Sequence, residues 1–591
     1  MKIRTEDHLS DFTRDSRVIV LSLMAAVIGV MSAFVAAGLV WLINVITNLA
    51  FFQSFSGEFH SPSDHHLGLA VIVVPALGGL LIGLMAKFGS ERIRGHGIPE
   101  ALEAILYGSS RMEPKVAILK PVSSALSIGT GGPFGAEGPI IMTGGAVGSL
   151  FAQSFHLSSA ERKTLLVAGA AGGMSAIFAT PVAAVLLAVE LLLFEWKPRS
   201  FIPVAVAATA AAVLRVPLLG QGPIFPTTTH AAPDLSIIIA SLAVGLCAGV
   251  GSTILTMLVY WFEDLFTKLP VHWMWWPVLG GLGVGIGGYF DPRILGVGYD
   301  VIRYLLRGEV VGGALLGLLL AKALVWSFAL GSGTSGGVLA PLLIIGGALG
   351  AFEARWIPVG DAGLWALVGM AAMMGGTMRS PLTAIMFAFE LTHDVNILPS
   401  LLASCIAAHL FTVLAMRRSI LTEKVARRGF HISREYSVDP LDSLRVGDVM
   451  DDVVQGISPD VKVSELSGRI EARDPTVTRH HGLPIVDAGG KLVGIITRGD
   501  VLRALEQGGE ETVIEAGSRN VLVTYPDELL REATHKMLRR DVGRLPVVSR
   551  QNPHQVVGYL GRPSVLSALR RRIAEEHERE SGWRINANVG G

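Results

Sequence analysis

Charge is what this chain of 591 residues has least of: 17% of it is Asp, Glu, Lys or Arg, against about a quarter in soluble domains. The deficit is local. Between Phe201 and Phe262 only Arg215 and Asp234 are charged, which excludes a water-facing surface there. From Arg417 to Arg584 the chain reads like an ordinary soluble domain, so the formal net charge of zero averages two different bodies. It argues for no acidic, basic or nucleic-acid partner. Cysteine is nearly absent. Cys247 and Cys405 both sit in apolar runs, which excludes a disulfide framework and leaves no metal-ligand spacing. The N-terminus, MKIRTEDHLSDFTRDSR, lacks the short apolar region and small-residue cleavage site of a signal peptide, so the apolar segment after it reads as a retained span. There is no phosphate loop ending in Gly-Lys-Ser/Thr, no HExxH and no nucleophile elbow. GTGGP (129–133) and GSGTSGG (331–337) are glycine-rich but lack a following lysine. Enzyme activity is not expected, nor is any cofactor.

What fills the space is hydrophobicity, half of the chain. A helix needs about 20 apolar residues to cross the hydrocarbon core. Segments 18–50, 67–88, 201–218, 235–262, 274–290, 311–330, 362–377 and 396–416 meet or approach that length. Segments 115–129, 139–153, 181–194 and 341–355 are too short and are interrupted by glycine and proline. Broken helices survive at membrane depth only where protein or a water-filled path satisfies their backbone. The pattern predicts a transport protein with half-helices rather than an anchor.

The apolar part repeats itself. PIIMTGGAVGSLFA (139–152) aligns with PLLIIGGALGAFEA (341–354), 202 residues on, and Pro181 and Glu190 match Pro381 and Glu390, 200 residues on. Two halves follow, about 17–230 and 235–416, and repeats of this kind place a substrate site at their interface near the midplane. Arg417, Arg418, Lys424, Arg427 and Arg428 then form a basic border, which the positive-inside rule assigns to the cytoplasm. A second, soluble-scale repeat follows. GLPIVD…KLVGIITRGDVL (482–502) parallels RLPVVS…QVVGYLGRPSVL (544–566), each a pair of short β runs leading into a helix.

Three glycine-rich breaks end in proline: GHGIP (Gly95, His96, Gly97, Ile98, Pro99), GAEGP (Gly135 to Pro139, with Glu137 and Gly138) and GVLAP (Gly337, Val338, Leu339 to Pro341). A helix N-terminus has unpaired N–H groups and a partial positive charge, so it favours an anion. Glycine allows close backbone approach, and proline suits a first helical turn. Three such termini aimed at one point would hold a small anion without a full positive charge. Any one of them alone reads as a tight turn.

Together, in this order, the three motifs closely resemble the anion-site signatures of the CLC family of chloride channels and chloride/proton exchangers. The resemblance covers about residues 17–430, and the tail resembles the paired CBS domains that many members carry. It implies a membrane all-α fold with an inverted internal repeat and many half-membrane helices, plus a cytoplasmic α/β CBS pair. The implied domains are an N-terminal cytoplasmic segment (1–16), a transmembrane domain (17–430), CBS domains at 431–508 and 509–572, and a flexible tail (573–591). It also implies a multi-pass homodimer in the cell membrane, with cytoplasmic termini and a chloride pathway in each subunit. Glu137 matches the family's gating glutamate, a carboxylate that occupies the anion's place when ionised and vacates it when protonated or displaced. By the same matching, the N–H groups of Val338 and Leu339 line a central site and those of Glu137 and Gly138 an outer one.

The chain departs from the family in four places. His96 stands where serine is common, and it either donates to the anion or packs against backbone. Leu339 replaces a phenylalanine. Leu421 stands where the family often has a coordinating tyrosine, which implies a looser inner gate. Leu191 stands where exchangers often carry an internal glutamate, leaving Glu190 and Glu195 as the proton-path candidates. The expectation is channel-like or weakly proton-coupled transport, with coupled chloride/proton exchange as the alternative. A membrane-anchored adenosine-nucleotide sensor is the reading from a different class. In nucleotide-binding CBS domains a Thr/Ser-x-x-Asp holds ribose and phosphate. Thr497 and Asp500 keep that pattern for ATP, ADP or AMP, whereas Gly561 and Ser564 in the second repeat do not.

Overall fold

The computed structural model describes residues 17–577 apart from 107, 109, 228, 430–440, 442 and 443. The segment 1–16 and most of the expected tail, 578–591, lie outside the described residues. The described chain divides into two compact units, one ending at Glu435 and one beginning at Tyr436.

The first unit is helical throughout. Its elements are α1 (Arg17–Phe52), α2 (Val73–Phe88), α3 (Ile98–Leu106), α4 (Pro114–Gly129), α5 (Glu137–Gln153), α6 (Ser159–Phe178), α7 (Pro181–Leu187), α8 (Pro198–Leu219), α9 (Leu235–Thr267), α10 (Trp276–Phe290), α11 (Tyr299–Leu306), α12 (Gly313–Gly331), α13 (Leu339–Glu353), α14 (Ala362–Met378), α15 (Pro381–Thr392), α16 (Leu398–Ala415) and α17 (Ile420–Arg427). Six stretches are long and apolar enough to cross a membrane among the described residues. They contain α1, α2, α8, α9, α12 and α16, six of the eight segments read from the sequence; 274–290 and 362–377 form the shorter helices α10 and α14.

The second half is the first half again. Elements α1 to α8 recur in order as α9 to α16, each about 200 residues on. The backbone repeats its exceptions too. Ala179 and Arg379 end α6 and α14 in the left-handed conformation (φ 57° and 55°), and Phe194 and His393 follow α7 and α15 the same way (φ 53° and 58°). Non-glycine residues seldom adopt that conformation, so its recurrence at matching positions marks a shared architecture. The cores match as well. A side chain on Gly144 or Gly169 would overlap the other's carbonyl where α5 meets α6, and Gly346 and Gly369 stand in the same relation between α13 and α14.

Length misleads at α14. Its 17 residues look like a near-span in the sequence, yet all but the first are buried inside the unit. The short 181–194 segment breaks as expected, into α7 and a π-helical stretch, Ala188–Leu193.

The second unit holds α18 (Val463–Glu471), α19 (Pro475–Thr478), α20 (Arg498–Glu506), α21 (Val513–Ala516), α22 (Leu530–Arg539) and α23 (Arg562–His577), with strands β1 (Gly482–Val486), β2 (Leu492–Thr497), β3 (Arg544–Val548) and β4 (Val556–Gly561). β1 pairs antiparallel with β2 and β3 with β4, each pair slipping register at its end. Parallel bridges from Ile457 to Ile485 and from Thr524 to Val547 repeat the pattern. Each half has its own apolar core, one around Val463, Ile485 and Val513 and one around Leu530, Val547 and Leu560.

Candidate functional site

The motif loops of the two halves meet at Gly135 and Gly337. Gly337 N–H donates to Gly135 O (2.8 Å) and Gly135 N–H to Gly337 O (3.3 Å), an antiparallel bridge between repeat equivalents. A two-fold axis through that point produces such a pair. α5 leaves from one side of it and α13 from the other.

Glu137 opens α5 and is 0% exposed. Its Oε1 accepts from Leu339 N–H and from Ala340 N–H at 3.3 Å, the first amides of α13. Oε2 has no hydrogen-bond partner. First-turn amides lack intrahelical acceptors and stabilise negative charge, so amides suited to an anion hold this carboxylate. The amides are those of Leu339 and Ala340; Val338 is the N-cap of α13. A side chain on Gly337 would come within 2.6 Å of Glu137 Oε1, which is why the loop needs glycine there.

Gly95 and Gly97 turn the chain into α3 with φ of 78° and 88°, and Ile98 and Pro99 are buried in its first turn. Gly97 N–H already has a carboxylate, Glu100 Oε2 at 3.1 Å. Glu100 Oε1 accepts from Arg428 at 2.7 Å, so α3 carries its own counter-charge. His96 is 3% exposed and its Nδ1 has no hydrogen-bond partner. A Cβ on Gly138 would overlap the His96 carbonyl, so α3 and α5 begin in contact. Pro139 follows, buried, in the first turn of α5.

Leu421, the second residue of α17, is fully buried. Beside it the Tyr260 hydroxyl donates to Ile420 O, so the nearby phenol is spent on backbone. The proton-path candidates are engaged as well. Glu190 accepts from Leu382 N–H (3.2 Å), Thr383 N–H (2.8 Å) and Thr383 Oγ1 (2.6 Å). Its repeat partner Glu390 accepts from Val182 N–H (3.0 Å) and Ala183 N–H (2.8 Å). Each half thus caps a helix of the other. Glu195 accepts from Ser200 Oγ at 2.7 Å and pairs with Lys197 at 3.3 Å. Replacing Glu190 or Glu390 by alanine strips two helix-start amides of their acceptor, and should cost about 1–3 kcal/mol. The check is thermal melting in detergent, where no shift in either variant would refute the capping.

Lys120 has no place in the motif reading, yet it organises the site. It lies fully buried on α4, and its Nζ donates to Ile93 O (2.8 Å), Gly95 O (2.7 Å) and Ser335 Oγ (3.0 Å). Ser123 and Ser124 complete the contact with Ser335 at 3.1 and 2.9 Å. One ammonium therefore ties the GHGIP loop to the loop that leads into α13. Its repeat equivalent, Lys322, donates to Ile294 O (2.8 Å) and Gly296 O (3.4 Å). The recurrence 202 residues on is the signal that could have found it.

In the second unit Thr497 and Asp500 bond each other. Asp500 Oδ2 accepts from Thr497 N–H (2.9 Å) and Oγ1 (2.6 Å), and Asp500 N–H donates to Thr497 Oγ1 (3.3 Å), a capping box on α20. A cavity of about 870 Å³ lies instead against Asp448, Asp451, Ser564, Ser567 and Arg571, beside the second repeat's GRPS.

Comparison with known proteins agrees with this architecture. A family profile described as voltage gated chloride channel matches residues 78–413, and CBS domain profiles match 446–507 and 513–571. The chain is 29% identical over 419 residues to a voltage-gated ClC-type chloride channel, ClcB, of Escherichia coli O81 (strain ED1a), covering 68% of this chain and 98% of that protein. It is 28% identical over 415 residues to the ClcB of Citrobacter koseri, with the same coverage. Among solved structures, a slow cyanobacterial Cl−/H+ antiporter matches with a TM-score of 0.62 at 22% identity, over 70% of this chain and 99% of that one. A eukaryotic CLC transporter matches with a TM-score of 0.58 at 18% identity, over 93% and 99%. With the profile spanning most of the helical unit and the repeat folded as described, the chain belongs to the voltage-gated chloride channel (CLC) family and carries two C-terminal CBS domains.

Proposed function

We propose that the protein carries chloride and similar anions across a membrane along a pathway between α3, α5, α13 and α17, and that Glu137 gates it. The observation that carries this reading is the Glu137 carboxylate on the first amides of α13. Those amides suit any small anion, so an ionised Glu137 competes with the transported ion. The Arg417–Arg428 border faces the cytoplasm. The working unit is a homodimer with one pathway per subunit, and lipid or the second subunit covers exposed apolar residues such as Val213 on α8 and Leu414 on α16.

Proton coupling is weak or absent in this reading. Coupled exchange needs a titratable group on a cytoplasmic route to Glu137. Leu191 is apolar and fully buried, and Glu190 is committed to the start of α15. Leu421 brings no hydroxyl to the inner side. The test imposes a chloride gradient across liposomes of pure protein and records chloride and pH together. Downhill chloride flux with little uphill proton movement is expected. Proton movement at a fixed stoichiometry, lost in Glu137→Ala, would make the protein a coupled antiporter.

The CBS pair is a regulatory module, and an adenosine nucleotide, if bound, uses Thr497 and Asp500. To hold a ribose hydroxyl, Asp500 must give up part of its capping box. Asp500→Ala should then weaken binding roughly tenfold to a hundredfold, the worth of a charge-assisted bond. Titration of the full chain with ATP, ADP and AMP measures it, and unchanged affinity would move the site to the cavity beside Ser564.

A further inference from the structure

The inverted repeat copies the GHGIP loop to the opposite face. Gly95 and Gly97 correspond to Gly296 and Gly298, which have φ of 64° and 77°, and α3 corresponds to α11, which begins at Tyr299. Lys322 braces this second loop as Lys120 braces the first, and Gly296 N–H donates to Gly131 O at 3.0 Å. α16 runs to the basic border, so its inverted counterpart α8 ends at the other face. That end carries Arg215.

A cavity of about 310 Å³ opens between these elements. Ala136, the neighbour of Glu137, forms part of its wall, as do Gly296, Gly298, Tyr299 and Arg215. Two buried polar groups there are unspent. Arg215 is 8% exposed; its Nη1 donates to Gly220 O, but its Nε has no partner. The Tyr299 hydroxyl is likewise buried without a partner, and the ring is fixed edge-on against Phe225 at 5.6 Å. Arg303 and Asp300 also line the space. Asp300 Oδ2 accepts from Ser61 Oγ at 2.8 Å and Ser63 Oγ at 3.3 Å, so two hydroxyls satisfy the acid, and Arg215 with Arg303 against one carboxylate leaves the lining a surplus of positive charge.

A buried guanidinium N–H and a buried phenol that lack acceptors cost free energy unless something accepts from them. A carboxylate-sized ligand would meet Asp300. A small monovalent anion fits both the volume and the charge. We propose that this cavity is a second anion site, in which Arg215 and the Tyr299 hydroxyl hold a halide-sized anion at the mouth of the pathway before it reaches Glu137.

The site rests on the transport reading, and its effect is one-sided. Only anions entering from the face opposite the basic border pass through it. Holding them raises their local concentration at Glu137 without changing the gate, so the site acts on half-saturation rather than on maximal rate. No charge flanks Glu137 in sequence; in the fold Arg215 lines the same cavity as Glu137's neighbour Ala136.

The test is chloride flux through the full-length protein in planar bilayers, with chloride varied separately on the two sides. Arg215→Gln should raise the half-saturating concentration about tenfold on one side only, with the maximal rate nearly unchanged. Arg215→Lys should recover much of the loss, and Tyr299→Phe should give a smaller shift on the same side. Normal saturation from the other side shows that the variants are folded. Unchanged half-saturation on both sides, with flux intact, would overturn the Arg215 site and leave the transport reading standing. No chloride flux in the parent protein would overturn the transport reading itself. An equal shift on both sides would mean that Arg215 acts through the fold, and would also overturn the Arg215 site.

Discussion

Chloride flux through Glu137→Ala should lose its dependence on pH. In the parent protein the carboxylate sits on the amides of Leu339 and Ala340, and in the proposed gate an anion reaches them only when the carboxylate is protonated or displaced. A single titrating group that must change state alters the open population up to about tenfold per pH unit, the worth of 1.36 kcal/mol. Acid favours the protonated, vacated form, so parent flux should rise as pH falls. Alanine removes both the competitor and the titration. Flux in the variant should therefore match or exceed the parent's acidic rate at every pH. Liposome efflux followed by a chloride electrode across the pH range measures this, and pH dependence persisting in the purified variant would remove Glu137 from the gate.

The second large effect is expected at Lys120. Lys120→Met keeps the side chain's bulk but withdraws three hydrogen bonds from Ile93 O, Gly95 O and Ser335 Oγ. Each buried acceptor left short costs about 1–3 kcal/mol. Relief from burying an ammonium offsets part of this, leaving a net loss of roughly 3 kcal/mol. The same change frees the GHGIP loop, so chloride affinity should fall along with the melting temperature. Lys322→Met should lower the melting temperature comparably, since it braces the equivalent loop around Gly296. Its effect on chloride bound near His96 should be small. Melting and calorimetry of the two variants side by side distinguish a local brace from general loss of stability. Equal losses of chloride affinity in both would contradict the local role.

Several of these features can be read from residue order. The repeat is visible because glycine, proline and glutamate recur at fixed offsets, and the breaks are visible because glycine and proline interrupt apolar runs. The half-helix starts at Ile98, Glu137 and Leu339 follow from those breaks. Partners across the repeat interface are harder to see. Glu190 reads as an acid one residue from a proton-path position, and only the fold shows it capping α15 while Glu390 caps α7. Lys120 looks like an isolated charge near a membrane segment, because side-chain hydrogen bonds to distant carbonyls leave no local pattern. α14 looks like a near-span because hydropathy does not distinguish a lipid-facing helix from one enclosed by protein. Arg215 and Tyr299 carry no motif, and their meeting depends on two halves folding about one axis. In the CBS pair, TRGD announces a helix cap and a nucleotide motif in the same letters, since both uses need a hydroxyl three residues before a carboxylate.

Whether Glu137 occupies an anion's place can be seen by anomalous scattering from bromide. Crystals of the parent protein and of Glu137→Ala, grown in bromide, should differ at one position. A bromide peak is expected within hydrogen-bonding distance of the Leu339 and Ala340 amides in the variant, where the parent has the carboxylate. A variant with no bromide at those amides, or a parent with bromide and carboxylate bound there together, would contradict it.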